Sequence, residues 1–190
     1  MIDIIKAIKA RDIFVRQEDE ADITAAVAAI IDDVRGEGDA AVLRYCEKFD
    51  GARLDALELT SEEVSAALKQ VDGEFVEILL RAAKNIEAFH RRQIREGFEF
   101  TGENGEILGQ KVLPLSRVGV YIPGGTAAYP STVLMSCIPA RLAGVREIVL
   151  VTPPRADGTV RPEVVAAARI AGANRIFKCG GAQAIAALAY

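Results

Sequence analysis

The chain has 190 residues, of which 51% are hydrophobic and 26% charged, and its formal net charge is −4 at pH 7. This composition is ordinary for a globular protein, and the length allows a sizeable buried core. The slight acidic excess argues against a nucleic-acid partner, no apolar run is long enough to cross a bilayer, and the first residues lack the features of a signal peptide. We therefore expect a cytoplasmic protein that binds neither nucleic acid nor membranes.

The cysteines and the single histidine limit the chemistry that this chain can perform. Cys46, Cys137 and Cys179 are scattered and lie in apolar sequence, which is typical of reduced thiols that pack as small hydrophobic groups. The chain has one histidine, His90, and neither a CxxC nor an HxxxH motif. We therefore predict no metal ligands in this chain.

The first third of the chain is predicted to be helical. We expect residues 1–21 to form an N-terminal arm, followed by one helix from Asp22 and a second that Asp39 caps and Asp50-Gly51 ends. Between them, the spacing Gly36-x-Gly38-x-x-Ala41 fits a dinucleotide-binding fingerprint loosely. That fingerprint requires a strand to enter and a helix to leave. Because a helix enters here, we interpret the stretch as a helix–helix turn.

Further local signals follow before residue 117. Leu57-Glu58-Leu59 is a short strand candidate, and Thr60-x-x-Glu63 is a capping box that opens a helix. Apolar residues from Phe75 to Phe89 predict a longer helix. A hairpin with strands over residues 98–101 and 107–112 should turn at Asn104-Gly105. We predict that residues 22–116 form the first part of an incomplete α/β domain.

The remaining residues, 117–190, are predicted to form a Rossmann-like parallel βαβαβ domain. Predicted strands start near Val118, Glu147 and Arg175, a repeat of about thirty residues that suits βαβ units. We expect the first of these strands to be buried, because its residues are β-branched or aromatic. The last helix is still apolar at Tyr190, so we expect a truncated domain. The predicted fold class is α/β, with a helix-rich first part and a partial parallel sheet.

The candidate binding site lies at two glycine turns, each after a predicted strand. Pro123-Gly124-Gly125 and Gly180-Gly181 would meet at the carboxyl edge of the sheet, where ligands of such sheets bind and where helix N-termini favour anions. Tight turns also require glycine for purely structural reasons. Gln183 is a directional donor and acceptor beside this edge, whereas Tyr121 is also explained as a core aromatic. No catalytic dyad is visible.

Several segments resemble those of histidinol dehydrogenases from about Asp22 onward. The two longest are Val118–Gly125 followed by Pro130–Met135, and Gly180–Leu188. Shorter ones are Val34-Arg35-x-x-Gly38-Asp39-Ala40-Ala41, Phe49-Asp50-Gly51, Asn85-Ile86-x-x-Phe89-His90, Gly109-Gln110 before Pro114-Leu115, and Pro139-Ala140-Arg141-x-Ala143-Gly144.

The resemblance implies a cytoplasmic, homodimeric, zinc-dependent enzyme of histidine biosynthesis. Such enzymes oxidise L-histidinol to L-histidine through histidinaldehyde, with two hydride transfers to NAD. By motif position Tyr121 and Gln183 would contact NAD, with Gly124 and Gly125 as neighbours. The family's zinc ligands, acid–base pair and most substrate contacts lie in later sequence, so this chain would be an inactive N-terminal segment. Both of its domains would be incomplete relative to the family.

Two alternative functions, from other functional classes, are also compatible with the sequence. One is a nucleotide-binding or regulatory module without catalysis. The other is a different NAD-dependent enzyme, such as a relative of aldehyde dehydrogenases, which would need a reactive cysteine in a polar, exposed setting. The apolar surroundings of Cys137 and Cys179 argue against the second reading.

Overall fold

A computed structural model describes residues 23–124 and 128–190. A parallel three-stranded sheet forms its centre, with β3 (Arg117–Tyr121), β4 (Glu147–Thr152) and β5 (Arg175–Lys178) in the spatial order β3-β4-β5. Two helices connect these strands, α5 (Pro130–Leu142) and α6 (Pro162–Ala171), and α7 (Gly181–Ala189) follows β5. The predicted α/β class, with three strand–helix repeats, is confirmed.

Helices dominate the residues before the sheet. They are α1 (Ile23–Glu37), α2 (Asp39–Tyr45, continued by a π-helical turn over Cys46–Asp50), α3 (Ser61–Leu68) and α4 (Gly73–His90, continued by a 3₁₀ turn over Arg91–Gln93). The Thr60 and Glu63 capping box at the start of α3 forms as predicted. Gly38 takes a φ of 61° and is itself the cap of α2, so the prediction that Asp39 caps that helix is wrong. The interpretation of this stretch as a helix–helix turn is confirmed.

The helices cover both faces of the sheet. One face packs against α3, α4, α5 and α6, and the other against α1, α2 and α7. A separate hydrophobic core lies on each face. Neighbouring residues of β4 point to different faces, because Leu150 belongs to the core with α3 to α6 and Val151 to the core with α1, α2 and α7. This alternation follows from the period of two in a strand. The two cores include residues from both sides of residue 116, and the division into two domains there stays a prediction.

A segment from before α3 extends the sheet on the β5 side. Residues 57–59 run antiparallel to β5, with hydrogen bonds from Leu59 N to Ile176 O (2.9 Å) and from Lys178 N to Leu57 O (2.7 Å). The Arg175 guanidinium donates to both carboxylate oxygens of Glu58, at 2.8 and 2.6 Å. The short strand predicted at these residues therefore has its partner in the last strand of the sheet.

The predicted hairpin forms a second, separate sheet. Strand β1 (Phe98–Thr101) pairs antiparallel with β2 (Ile107–Gln110), and Gly105 takes a φ of 86° in the turn. All eight strand residues are exposed. The second strand ends two residues earlier than predicted.

Strand β3 departs from its predicted burial. Its residues alternate between exposed and half-buried, and the first fully buried residue after it is Ile122. The reason is position, since β3 is an edge strand among the described residues and pairs with β4. The residue composition of a strand indicates what it can bury, whereas its neighbours decide what it does bury.

Candidate functional site

The connections of the sheet define where a ligand would bind. Helices α5 and α6 lie on one face, whereas α7 lies on the other and returns to β3, where Leu188 packs over Gly119. A Cβ at Gly119 would lie 2.6 Å from a methyl carbon of Leu188, so glycine lets the helix approach closely. After β5 the chain thus crosses to the other face of the sheet. In open parallel sheets, ligands bind outside the carboxyl ends of the strands.

Three residues singled out in the sequence meet at the start of α7. The backbone N–H of Gly181 donates to the hydroxyl of Tyr121, with the two atoms 3.4 Å apart. Gly181 takes a φ of 65°, and a Cβ there would lie 2.7 Å from Oε1 of Gln183. Gly181 therefore leaves room for the Gln183 amide. The last residue of β3 and the first turn of α7 form one cluster.

Gln183 is the buried polar member of this cluster. It is 1% exposed, and its Oε1 has no hydrogen-bond partner among the residues that the structure describes. Tyr121, by contrast, is 37% exposed. A buried amide oxygen without a partner is costly, and a donor supplied by a ligand would offset that cost.

Pro153, directly after β4, packs between the two glycine turns. A Cβ at Gly124 would lie 3.0 Å from the Pro153 ring, and a Cβ at Gly180 would overlap the same ring. The turns after β3 and β5 are thus held together over the end of β4. Gly125, which we predicted to neighbour the cofactor, lies outside the described residues.

A cavity of about 400 Å³ opens beside these turns. Its floor is the carboxyl ends of β3 and β4, through Pro123, Gly124 and residues 152–154. Phe49 and Asp50 close it from the end of α2, and residues 155, 156, 161 and 164 close it from the side of α6. Tyr121 and Gln183 do not line it. The structure therefore gives two adjacent features at this edge, the Tyr121–Gly181–Gln183 cluster and the cavity.

Asp50 is the acidic group of the cavity. One of its oxygens, Oδ2, is buried and has no hydrogen-bond partner in the described part of the chain. Burial raises the pKa of this carboxyl above its usual value. Arg155 also lines the cavity, but its side chain is 52% exposed and lies 4.0 Å from the Asp157 carboxylate.

The cysteines are buried, as predicted. Cys46, Cys137 and Cys179 are free thiols, and burial raises the pKa of each, to about 11, 11 and 12 respectively. At neutral pH they are therefore protonated and poor nucleophiles. This environment does not support the alternative of an enzyme with a cysteine nucleophile.

The described residues provide no cluster of metal ligands and no membrane-spanning helix. Residues 23–124 and 128–190 contain no group of three or more His, Cys, Asp or Glu side chains that could hold a metal ion. None of the described helices combines the length and hydropathy that crossing a bilayer requires.

Sequence reasoning found the glycine turns but missed Asp50. The dipeptide Asp50-Gly51 was interpreted as a helix end, which it is, with Gly51 at a φ of 67°. Its place beside the cavity depends on how α2 packs across the sheet, and no local pattern reports that packing. Pro153 and Pro154, which follow β4, also form part of the floor of the cavity.

A sequence model of the family described as histidinol dehydrogenase matches residues 15–190. The chain belongs to the histidinol dehydrogenase family. The histidinol dehydrogenase of Geobacillus kaustophilus is 56% identical over 165 residues, which cover 87% of this chain and 39% of that protein. That of Methanosarcina mazei is 51% identical over 171 residues, covering 90% of this chain and 40% of the relative.

A solved structure shares the fold. The crystal structure of histidinol dehydrogenase from Elizabethkingia anophelis matches with a TM-score of 0.80 and 35% identity, over 97% of this chain and 40% of that one. The resemblance inferred from the motifs is therefore confirmed. The chain spans about 40% of the length of these histidinol dehydrogenases.

Proposed function

We propose that this chain supplies the NAD-binding wall of a histidinol dehydrogenase, the enzyme that oxidises L-histidinol to L-histidine through histidinaldehyde. NAD would accept the hydride in each of the two oxidations. Within this proposal Tyr121 and Gln183 contact the cofactor, and Gly124 and Gly125 allow its close approach. The observation that carries the proposal is the meeting of Tyr121, Gly181 and Gln183 at the carboxyl edge of the sheet, in a chain of this family.

The described residues suit a dinucleotide in two respects. The buried Oε1 of Gln183 and the buried Oδ2 of Asp50 both lack a partner among them, and both atoms accept hydrogen bonds. The hydroxyl and amide groups of a dinucleotide are donors. The second is the packing of the Pro153 ring against both Gly124 and Gly180, which holds the turns after β3 and β5 together at this edge.

The roles of the protein groups follow from their chemistry. Tyr121 is exposed enough to present its ring and hydroxyl to a ligand, while the Gly181 N–H holds that hydroxyl in place. Gln183 would fix the orientation of the cofactor through one directional hydrogen bond. No residue of the described site is assigned a proton-transfer step.

The zinc of the family does not fit the residues described. Because no candidate ligand set exists among residues 23–124 and 128–190, we derive no step that involves a metal. We propose that the zinc ligands, the acid–base groups and the dimer contacts of the active enzyme belong to sequence outside this chain. The active protein would be a cytoplasmic homodimer, and this chain would be inactive by itself.

An activity measurement tests whether this chain is inactive by itself. The purified 190-residue chain is incubated with histidinol, NAD and zinc, and NADH absorbance is followed. We expect no steady NADH formation. A steady rate above that of a heat-treated sample would show that the chain carries its own catalytic groups.

A binding measurement tests the cofactor site. Binding of NADH is followed by the fluorescence of the nicotinamide, which is free of tryptophan background because the chain has no tryptophan. We expect Gln183→Ala to weaken binding about tenfold, as loss of one buried hydrogen bond would. The matched control is Gln70→Ala, since Gln70 is an exposed glutamine whose side chain donates to the Ala66 carbonyl of the preceding helix α3. Equal affinity of both variants would refute the assignment of Gln183.

A further inference from the structure

We propose that an apolar groove with a basic rim binds an acidic, apolar segment of the part of histidinol dehydrogenase that this chain lacks, without needing a covalent link to it. This inference rests on the proposal that the zinc ligands and acid–base groups lie outside this chain. It adds the surface by which this chain would hold that part, and the chemistry of the segment that binds there.

The groove lies at the end of the sheet opposite to the candidate cofactor site. Its volume is about 570 Å³, and its walls include residues 93–95, residues 112–115 and the end of α5. Residues 112–115 come shortly before β3, and Val145, which also lines the groove, comes shortly before β4. The cavity of about 400 Å³ lies instead at the carboxyl ends of these strands. A partner in the groove would therefore leave the cofactor site open.

The groove has a fixed wall and exposed apolar side chains. Gly144 takes a φ of 86°, and a Cβ there would lie 3.3 Å from the Pro114 ring, so Pro114 packs on the end of α5. Leu113, Leu115 and Ile94, which also line the groove, are 77%, 67% and 52% exposed. A contiguous group of exposed apolar side chains is typical of a surface that binds another polypeptide.

The rim of the groove is basic, although the chain has a net charge of −4. Seven arginine or lysine residues line the groove or directly adjoin a lining residue in sequence, whereas Glu96 is the one acidic residue in such a position. Three of the seven already have anionic partners, namely Arg91 and Arg141 with Glu87, and Arg117 with Glu147.

The other cations of the rim have no such partner. They are exposed and make no ion pair with a described residue: Arg92, Arg95, Lys111 and Arg146. Complementary charge on a partner would therefore be negative, and complementary shape requires apolar side chains between the acidic ones. The groove suits a segment in which Asp or Glu residues border an apolar face.

The lining favours a polypeptide over a nucleic acid. Single-stranded nucleic acids also bind basic surfaces, but they do so largely by stacking bases on aromatic side chains. None of the residues that line this groove is Phe, Tyr or Trp, and most are aliphatic residues or proline. An amphipathic segment with an acidic border matches both the apolar floor and the cations of the rim.

The missing part of the enzyme is the partner that the comparisons favour. This chain covers 39% or 40% of its relatives, so most of an enzyme of this family would have to attach to it. Val118 of β3 lines the groove, and β3 has one unpaired edge among the described strands. An open sheet edge and an apolar groove thus lie side by side, and one incoming segment could use both.

The test coexpresses this chain with an affinity-tagged polypeptide, the part of the Geobacillus kaustophilus histidinol dehydrogenase outside its match to this chain. We expect the wild-type chain to copurify with the tagged part. Arg95→Glu combined with Lys111→Glu should lower the copurified amount at least about tenfold, because repulsion replaces attraction at the rim. Leu113→Asp should have a similar effect through the groove wall. The matched controls are Lys69→Glu and Leu80→Asp, since both residues are exposed and lie outside the groove.

Short overlapping peptides of the same part give a second measurement that needs no folded partner. Acidic apolar peptides should bind the wild-type chain, and the Arg95→Glu, Lys111→Glu double variant should not bind them. NADH binding, followed by nicotinamide fluorescence, should be the same in the wild type and in this variant, because the groove lies away from the cofactor site.

The outcomes separate this inference from the proposed function. Loss of copurification and of peptide binding in the groove variants, with both retained in the controls, would support the groove as the docking surface. Equal recovery, or equal loss, in groove and control variants would overturn it. It also fails if the wild type binds neither the tagged part nor any peptide, or binds a labelled single-stranded RNA in place of the peptides. A chain that copurifies as expected but binds no NADH would refute the NAD site and leave the groove assignment intact.

Discussion

Strand β4 of the parallel sheet and the hairpin β1-β2 both contain apolar residues but have opposite environments. Strand β4 is almost completely buried, with residues 148–152 all in the buried class, whereas all eight hairpin residues are exposed. Phe98 and Phe100 stack with centroids 6.4 Å apart, yet they are 58% and 53% exposed. Burial in this molecule therefore comes from helices on both faces of a sheet, since hydrophobic strands without that cover stay in solvent.

The largest expected effect comes from truncating the same residue type in both regions. Leu150 in β4 is 0% exposed and Leu108 in β2 is 48% exposed. We expect Leu150→Ala to lower the free energy of unfolding by about 3 kcal/mol, because it leaves a cavity in the core, and Leu108→Ala by about 0.5 kcal/mol. Urea denaturation measures both. Equal losses of unfolding free energy would mean that Leu108 is buried in solution, and the two regions would then not differ in burial.

The next effect concerns an ion pair that joins helix α3 to strand β5. The Lys178 ammonium, at the end of β5, is 8% exposed and lies 2.7 Å from the Glu63 carboxylate of α3. Glu63→Gln leaves this buried charge without its anion, and we expect a loss of about 1.5 kcal/mol at pH 7. Ser61→Ala on the same helix serves as an exposed control.

The pH dependence of this loss has a definite sign. Burial raises the pKa of Glu63, but hydrogen bonds from Lys178 and Thr60 outweigh it and lower the pKa below its usual value. The stabilisation is therefore present above the usual pKa and is lost as pH falls through the lowered one. The difference between wild type and Glu63→Gln should shrink below about pH 4. A constant difference down to pH 3 would contradict the ion pair.

A smaller effect of opposite sign is expected at the cavity. Because burial raises the pKa of Asp50, its charged form is disfavoured in the folded protein. We expect Asp50→Asn to stabilise the ligand-free chain by about 0.5 kcal/mol at pH 7, a value reduced by the partial exposure of the side chain. The stabilisation should vanish on acidification, since a group with a raised pKa contributes stability at low pH and loses it as pH rises. Thermal unfolding at several pH values measures it.

The smallest effect on overall stability is expected at the hairpin turn. Gly105 takes a φ of 86°, and no atom lies within 4 Å of a Cβ placed there, so Gly105→Ala introduces backbone strain without a clash. The strain of about 1 kcal/mol should open the hairpin locally and leave global unfolding nearly unchanged. Amide hydrogen exchange should quicken in residues 98–110 and stay constant in β4. Faster exchange in both regions would show that the two sheets unfold together.

Local signals in the sequence were the ones that predicted structure correctly. The capping box of Thr60 and Glu63 and the Asn104-Gly105 turn depend on residues within four positions, and both form. The βαβ repeats were predicted within about two residues, because hydrophobic period, glycine and proline mark their ends. These features need no knowledge of distant parts of the chain.

The features that escaped prediction depend on packing between distant segments. The exposure of β3 reflects its place at the sheet edge, and the place of Asp50 beside the cavity reflects where α2 crosses the sheet. The strand at residues 57–59 was predicted, but its pairing with β5 was not. In the candidate site, the glycines were visible as turns, whereas the contact between Tyr121 and Gly181 joins residues 60 positions apart.

The pairing of residues 57–59 with β5 also has a consequence for the order in which the protein forms. Glu58 and Arg175 are 117 positions apart, so the segment before α3 leaves the ribosome long before its partner exists. At roughly 5–20 residues per second, synthesis of the intervening chain takes roughly 6–23 s. During that interval Leu57 and Leu59 have an open backbone edge, which is the kind of edge that chaperones shield and that neighbouring nascent chains can capture. The fold of the sheet can be completed only when its last strand emerges.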